Sequence, residues 1–224
     1  METVAILPVK RFENAKRRLD GALPLGSRRA LAEAMFADVL TALRRAEAID
    51  RVLVVSADPG AQRIAEGYDA VALDDPAESG QDQAVLRGVA FARELGAVQV
   101  LCVPGDCPLL DPVELDTLLG RPRTAARFAV VVPDRHRTGT NALLLCPPEA
   151  LHPRYGPDSF ERHRRLAAEA EVPVEVAELE SLALDVDTPD DLTELQERLV
   201  ARRGGAAHTR GMLHQMQRTI PVPR

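Results

Sequence analysis

Apolar and polar positions fall into blocks along this chain, and the rhythm changes from block to block. The stretch "TVAILPV", residues 3–9, is a continuous apolar run of the kind that forms a strand buried on both faces. A basic loop follows. Leu31, Met35, Val39 and Leu43 then recur at helical spacing behind Ser27, which reads as an N-cap. "RVLVVSAD" is the next strand, "AQRIAEG" a short helix and "DAVALDD" another strand. The segment "SGQDQAVLRGVAFARELG" is a long helix opening on Ser79 and closing on Gly96, and "VQVLCVPGD" is a strand ending at the carboxylate of Asp106.

After the short helix "PVELDTLL" the alternation breaks. "RFAVVVPD" and "TNALLLCPP" are two strand patterns joined by a few polar residues with a glycine, which predicts a hairpin. A helix over "PDSFERHRRLAAEA", strands over "VPVEVAEL" and "LALDVDT", and a helix over "PDDLTELQERLVARR" complete the pattern. That last helix starts from Thr188 or Asp187, with Pro189 at its first position. The pattern predicts one α/β domain over 1–202, in three layers α/β/α with a mostly parallel mixed sheet and a β-hairpin insertion. Residues 203–224 lack periodicity and read as a basic, flexible C-terminal tail.

Composition narrows the function classes. The chain of 224 residues has a formal charge of -6, but residues 203–224 carry four Arg and no acid. Residues 1–202 therefore hold 24 cationic side chains against 34 acidic ones, a net of -10. So acidic a body argues against a nucleic-acid platform. Apolar runs such as "AVVVP" are too short for a membrane span, and three cysteines without CxxC spacing suggest neither a disulfide framework nor zinc. A cytoplasmic enzyme fits. Of 28 cationic residues only Lys10 and Lys16 are lysines, both in "PVKRFENAKRRL", where a compact ammonium has a use that a planar guanidinium lacks.

Several constellations could carry chemistry. Asp106 in "PGDCPLL" lies beyond a strand's carboxyl end, where ligands bind in open parallel sheets, although an Asp before a turn is also ordinary turn chemistry. Asp185 and Asp187 in "LALDVDTPDDL" share one side of an extended segment, and two such carboxylates call for a cation between them, most simply Mg2+. Asp187 as a plain helix cap is the competing reading. In the basic loop Lys10, Lys16, Arg17 and Arg18 suit a triphosphate held by side chains, or simply a solvated loop. Thr138-Gly139-Thr140-Asn141 could grip a small carboxylate or phosphate, or be an ordinary turn. Gly156 and Ser159 sit at a helix mouth that favours an anion, with Asp158 or Ser159 as a simple cap the alternative. His163 reads as a residue on the surface of the helix that follows, near enough to that mouth for a substrate contact.

Taken together, "ILPVKRFENAKRRL", "VLVVSADP", "PGDCPLL", "PDRHRTGTNALLL", "YGPDSFERH" and "LDVDTPDDL" resemble the guanylyltransferases of coenzyme F420 biosynthesis, collinearly over residues 3–200. The resemblance implies a nucleotidyltransferase-like, Rossmann-like fold that transfers GMP from GTP to a small phosphorylated acid and releases pyrophosphate. That acid is phosphoenolpyruvate, 2-phospho-L-lactate or 3-phospho-D-glycerate. By motif it assigns Mg2+ to Asp106, Asp185 and Asp187, the acid to Thr140, Gly156 and Ser159, and the GTP phosphates to Lys10 and Lys16, with Arg18 and Gly80 also on the nucleotide side. A downstream transferase acting on the deazaflavin Fo is the implied partner, and a homodimer is compatible. Where family members carry Gly-Leu-Asn, this chain has Gly80-Gln81-Asp82-Gln83, which leaves the base and ribose contacts open. The alternatives are a sugar-phosphate nucleotidyltransferase or nucleotide-sugar glycosyltransferase, and a non-catalytic nucleotide-binding module.

Overall fold

A computed structural model describes residues 2–78 and 80–219. Ser79, the expected opening residue of the long helix, and residues 220–224 of the expected tail lie outside them. In chain order the elements are β1 (Thr3–Pro8), α1 (Leu25–Arg45), β2 (Arg51–Ser56), α2 (Pro59–Gly67), β3 (Val71–Asp74), α3 (Gln81–Glu94), β4 (Gln99–Cys102) and α4 (Pro112–Leu119). They continue with β5 (Phe128–Pro133), β6 (Thr140–Cys146), α5 (Ser159–Glu169), β7 (Val174–Val176), α6 (Pro189–Ala201) and α7 (Ala207–Thr219).

The seven strands form one sheet in the order β3-β2-β1-β4-β6-β5-β7. β6 is the reversed strand: it runs antiparallel to both β4 and β5, while β1–β2, β1–β4, β2–β3 and β5–β7 pair in parallel. The mixed three-layer α/β/α fold expected from the pattern is therefore present. The hairpin is more than an insertion, because β6 sits between β4 and β5, with Leu143 opposite Cys102 and Leu145 opposite Val100.

Why β1 reads as unbroken apolar sequence is plain from its two faces. Ala5 and Leu7 pack with α1, α2 and α4 on one side. Val4 and Ile6 pack with α3 and α5 on the other. Gly88 lets α3 lie close, since a Cβ there would stand 2.5 Å from the Ile6 Cγ2. A third cluster joins Leu31 and Met35 of α1 to Leu184, Val186, Leu195 of α6 and Leu213 of α7. Among the described residues no helix is long and apolar enough to cross a membrane.

Three expectations change. First, α1 begins at Leu25 rather than behind Ser27, with Arg28 N–H donating to the Pro24 carbonyl at 3.0 Å, so Ser27 lies inside the first turn. Second, "LALDVDT" is not a sheet strand: Leu182 ends a 3-10 turn over Glu180–Leu182, and the rest of the segment lies outside the sheet. It crosses past the end of β4, where Val186 N–H meets the Asp106 carbonyl at 3.3 Å. Its alternation survives: Leu184 and Val186 are buried, Asp185 and Asp187 half-buried.

Third, the reading of 203–224 as a flexible tail is corrected over 207–219, which form α7, docked along α1. Gly204, Gly205 and Ala206 turn the chain with positive φ, and the carboxylate of Asp38 on α1 accepts from His208 N–H (3.0 Å) and Thr209 N–H (2.8 Å). The helix N-terminus is thus capped from α1 instead of by a preceding residue. Leu213 and Met216 are buried beneath it.

Candidate active site

A cleft of about 1020 Å³ opens beyond the carboxyl ends of β1 and β4, where the connections leave the sheet in opposite directions. Lys10, Lys16, Arg18, Gly80, Asp106, Thr140, Gly156, Ser159, Asp185 and Asp187 all line it. The structure brings every expected site residue to one place.

The basic loop after β1 is held from outside itself. Asp58, the N-cap of α2, accepts from Phe12 N–H at 2.7 Å with one oxygen and from Gly60 N–H at 2.6 Å with the other. Phe12 packs on Phe36 of α1, ring centroids 5.9 Å apart. Lys16 then takes a left-handed backbone (φ 55°), and its side chain turns inward until it is only 5 % exposed. Its Nζ donates to Asp106 Oδ2 at 2.5 Å and to Asp187 Oδ1 at 3.0 Å. Burial alone would lower the lysine's pKa; the two carboxylates outweigh it and hold the ammonium above its ordinary value. Lys16, which lines the cleft, thus bridges two of the carboxylates. Lys10 is exposed at the rim, and Arg18, 75 % exposed, reaches within 3.8 Å of Asp187.

The capping alternative for Asp187 falls away, because Thr188 caps α6 in a reciprocal capping box with Asp191. Asp191 also accepts from Arg135, which ties the β5–β6 loop to α6. Asp185 is pushed up to about 6 by burial first and by the Asp106 charge second, against the hydrogen bond from Asn141 Nδ2 at 3.2 Å.

Do these three carboxylates fit a magnesium ion? Among the described residues no three His, Cys, Asp or Glu side chains are gathered as a ready ligand group. Lys16 holds two of the carboxylates and Asn141 the third. The donor type nevertheless fits a hard cation: Asp106 Oδ1 is buried with no hydrogen-bond partner among the described residues, and Asp185 lacks counter-charge.

Beside these carboxylates the "TGTN" segment is more self-contained than its composition implied. Asp134 accepts from Thr138 N–H, Thr138 Oγ1–H and Gly139 N–H at 2.9, 3.1 and 2.8 Å. Asn141 donates to the Leu182 carbonyl at 2.7 Å. All four residues of the segment line the cleft, and of its two threonines Thr138 is already engaged with Asp134. In the same lining Gly156 has φ +97°, a conformation open to glycine, and Ser159 opens α5. Asp158 is the N-cap by position but its side chain makes no cap hydrogen bond among the described residues, so the helix mouth is not closed by its own acid. On the nucleotide side Gly80, φ +95°, precedes the 14-residue α3, again without a side-chain cap among the described residues.

Sequence reasoning passed over Asp58 and Asp82, which act on backbone amides far along the chain, and Asp134, which acts on amides four and five residues on. Asp82 belongs to the "GQDQ" departure, and its Oδ1 accepts from Tyr155 N–H at 2.6 Å, binding the start of α3 to the segment before Gly156. A capping-type Asp near a turn was the available signal for Asp58 and Asp134; nothing local marked Asp82.

The doubly wound sheet with this cleft at its switch point is the fold of solved nucleotidyltransferase structures. A putative nucleotide-diphospho-sugar transferase from Desulfovibrio desulfuricans superposes with TM-score 0.74 at 17 % identity, over 97 % of this chain and 96 % of that one. A nucleotidyl transferase from Methanothermobacter superposes with TM-score 0.64 at 16 % identity, over 89 % and 98 %. The family model described as guanylyl transferase CofC like matches residues 3–221. The phosphoenolpyruvate guanylyltransferase of Conexibacter woesei is 68 % identical over 221 residues, 99 % of each chain. The 2-phospho-L-lactate guanylyltransferase of Methanothermobacter thermautotrophicus is 35 % identical over 225 residues, 100 % of this chain and 95 % of that one. The chain belongs to the CofC-like guanylyl transferase family and is a guanylyltransferase.

Proposed function

We propose that the enzyme transfers GMP from GTP to phosphoenolpyruvate in the route to coenzyme F420, with 2-phospho-L-lactate and 3-phospho-D-glycerate as the rival acids. The observation that carries this reading is the layout of the cleft. Cationic Lys10 and Arg18, the start of α3, Thr140, Gly156 and Ser159 all line one cleft, and the Lys16–Asp106–Asp187 cluster lies with them. The name of the 68 % identical relative supports phosphoenolpyruvate as the acid.

In the reaction a phosphate oxygen of the acid attacks the α-phosphorus of GTP, and the bond from that phosphorus to the pyrophosphate oxygen breaks. No protein nucleophile is needed, because the attacking oxygen belongs to the substrate. Thr140, Ser159 and the amides at the mouth of α5 hold the acid in line. Lys10 and Arg18 draw the triphosphate to the nucleotide wall. Lys16 fixes the facing oxygens of Asp106 and Asp187, and Asn141 orients Asp185. Magnesium held by Asp106, Asp185 and Asp187 would supply neutralisation of the charge on the transferring phosphate. The three cysteines are buried free thiols, which suits a reducing compartment, and we place the reaction in the cytoplasm.

The test supplies GTP, magnesium and each of the three acids in turn, with Fo and the transferase that consumes the product as a trap. Pyrophosphate release and a product mass containing GMP joined to phosphoenolpyruvate are expected. Turnover of a sugar phosphate, or none with any acid, would sink the assignment.

A further inference from the structure

His163 stands exactly where neither a metal ligand nor a general base is called for, and its surroundings define its protons. It lies one turn beyond Ser159 on α5, fully buried rather than on the helix surface. One ring nitrogen, Nε2, lies 2.9 Å from the backbone nitrogen of Arg154. A backbone amide can only donate, so Nε2 is the acceptor and carries no proton. In a neutral imidazole the proton is then on Nδ1, and Nδ1 lies 2.9 Å from Thr140 Oγ1. Burial holds the ring neutral near pH 7.

A threonine hydroxyl has one proton to give. With Oγ1 accepting from the ring, that proton must point away from His163, and Thr140 is a residue of the cleft lining. We propose that His163 is a positioning residue: through Nδ1–H it sets the Thr140 hydroxyl as a donor aimed at the bound acid, and through Nε2 it holds the Arg154–Gly156 backbone beside it. The opposite tautomer would set two N–H groups against each other at Arg154 and turn the threonine proton toward the ring. Tyr155 meets the imidazole edge-on with centroids 5.1 Å apart, and Asp82 fixes Tyr155 N–H, so the ring cannot swing freely.

This inference rests on the reading of Thr140 as an acid contact, and the two can fail separately. The experiment uses the full chain with phosphoenolpyruvate as the acid. Nitrogen-15 NMR of the wild-type imidazole at pH 7.5 is expected to show Nδ1 protonated and Nε2 bare; a protonated Nε2 overturns the proposal whatever the kinetics. In kinetics, His163→Leu is expected to raise KM for phosphoenolpyruvate roughly tenfold with KM for GTP unchanged, the scale of one lost hydrogen bond. His163→Asn, whose amide can replace Nδ1–H, is expected to recover most of that loss. Thr140→Val should raise the same KM, and adding His163→Leu to it should cost little more, because one acts through the other. Fully additive losses overturn the inference alone. An unchanged KM in Thr140→Val overturns the reading of Thr140 and the inference with it.

Discussion

At the scale of single residues the site turns on where charge is compensated. Lys16 is a buried cation between two carboxylates, Asp106 and Asp187, and its backbone is left-handed. Lys16→Met removes the ammonium between Asp106 and Asp187 and leaves the exposed Arg18, 3.8 Å from Asp187, as a partial counter-charge. Because those carboxylates are 28 % and 43 % exposed, water offsets much of the loss, and stability should fall by roughly 1–2 kcal/mol rather than by the larger cost of a fully buried pair. On the proposed mechanism activity should suffer more, by about 100-fold or greater, since the carboxylates that would hold magnesium are misplaced. Lys16→Arg should not restore it, because a planar fork cannot replace a point charge between two oxygens. Urea unfolding and steady-state turnover check both parts; turnover within threefold of wild type in Lys16→Met would show that the bridge is dispensable. The residue types of this cluster were legible in the sequence, as two lysines in an arginine-rich chain and paired aspartates at i, i+2. Their mutual contacts were not, because Lys16 and Asp187 are 171 positions apart and no local pattern encodes which carboxylate an ammonium will meet.

At the scale of elements, the alternation of apolar blocks made most of the sheet and its covering helices readable, since a strand buried on both faces and an amphipathic helix each impose their own period. What could not be read were elements completed by distant groups. α7 has few apolar positions of its own, and its first amides are satisfied by Asp38, so the stretch looks aperiodic until α1 is placed beside it. "LALDVDT" failed in the opposite sense: it alternates like a strand, and it does keep one face buried, yet it runs past the end of the sheet. The dependence of α7 on Asp38 gives a direct test. Asp38→Ala removes the cap and should lower stability by about 1–2 kcal/mol. Limited proteolysis should then cut first near Gly204-Gly205, while activity at 25 °C stays close to wild type because α7 does not line the cleft. Cleavage at an unchanged rate would mean that packing of Leu213 and Met216 holds the helix without its cap.

For the whole molecule the question is how the acid wall stays fixed to the sheet, and His163 links its parts: β6 through Thr140, the segment before Gly156 through Arg154 N–H, and α5 on which it resides. Its folded pKa is drawn from the ordinary 6.5 down to about 4, by burial first, with the Asp82 charge opposing and Arg162 adding to the fall. The unfolded chain therefore binds a proton at this residue in a pH range where the folded one does not. The sign follows: stability from the neutral ring is fully present above 6.5 and is lost as the pH falls toward 4. A gap of that size corresponds to on the order of 3 kcal/mol between the ends of the window. Carboxylates titrate over the same range, so the wild-type curve alone cannot isolate the effect; subtracting the curve of His163→Asn removes what the two proteins share. Urea unfolding from pH 7.5 to 4.5 should show wild type losing its stability advantage over the variant by roughly 2–3 kcal/mol across the window. A difference that stays constant with pH would mean that the imidazole can be protonated in place, and that α5 and the Thr140 wall are joined by packing rather than by the hydrogen bonds of a neutral ring.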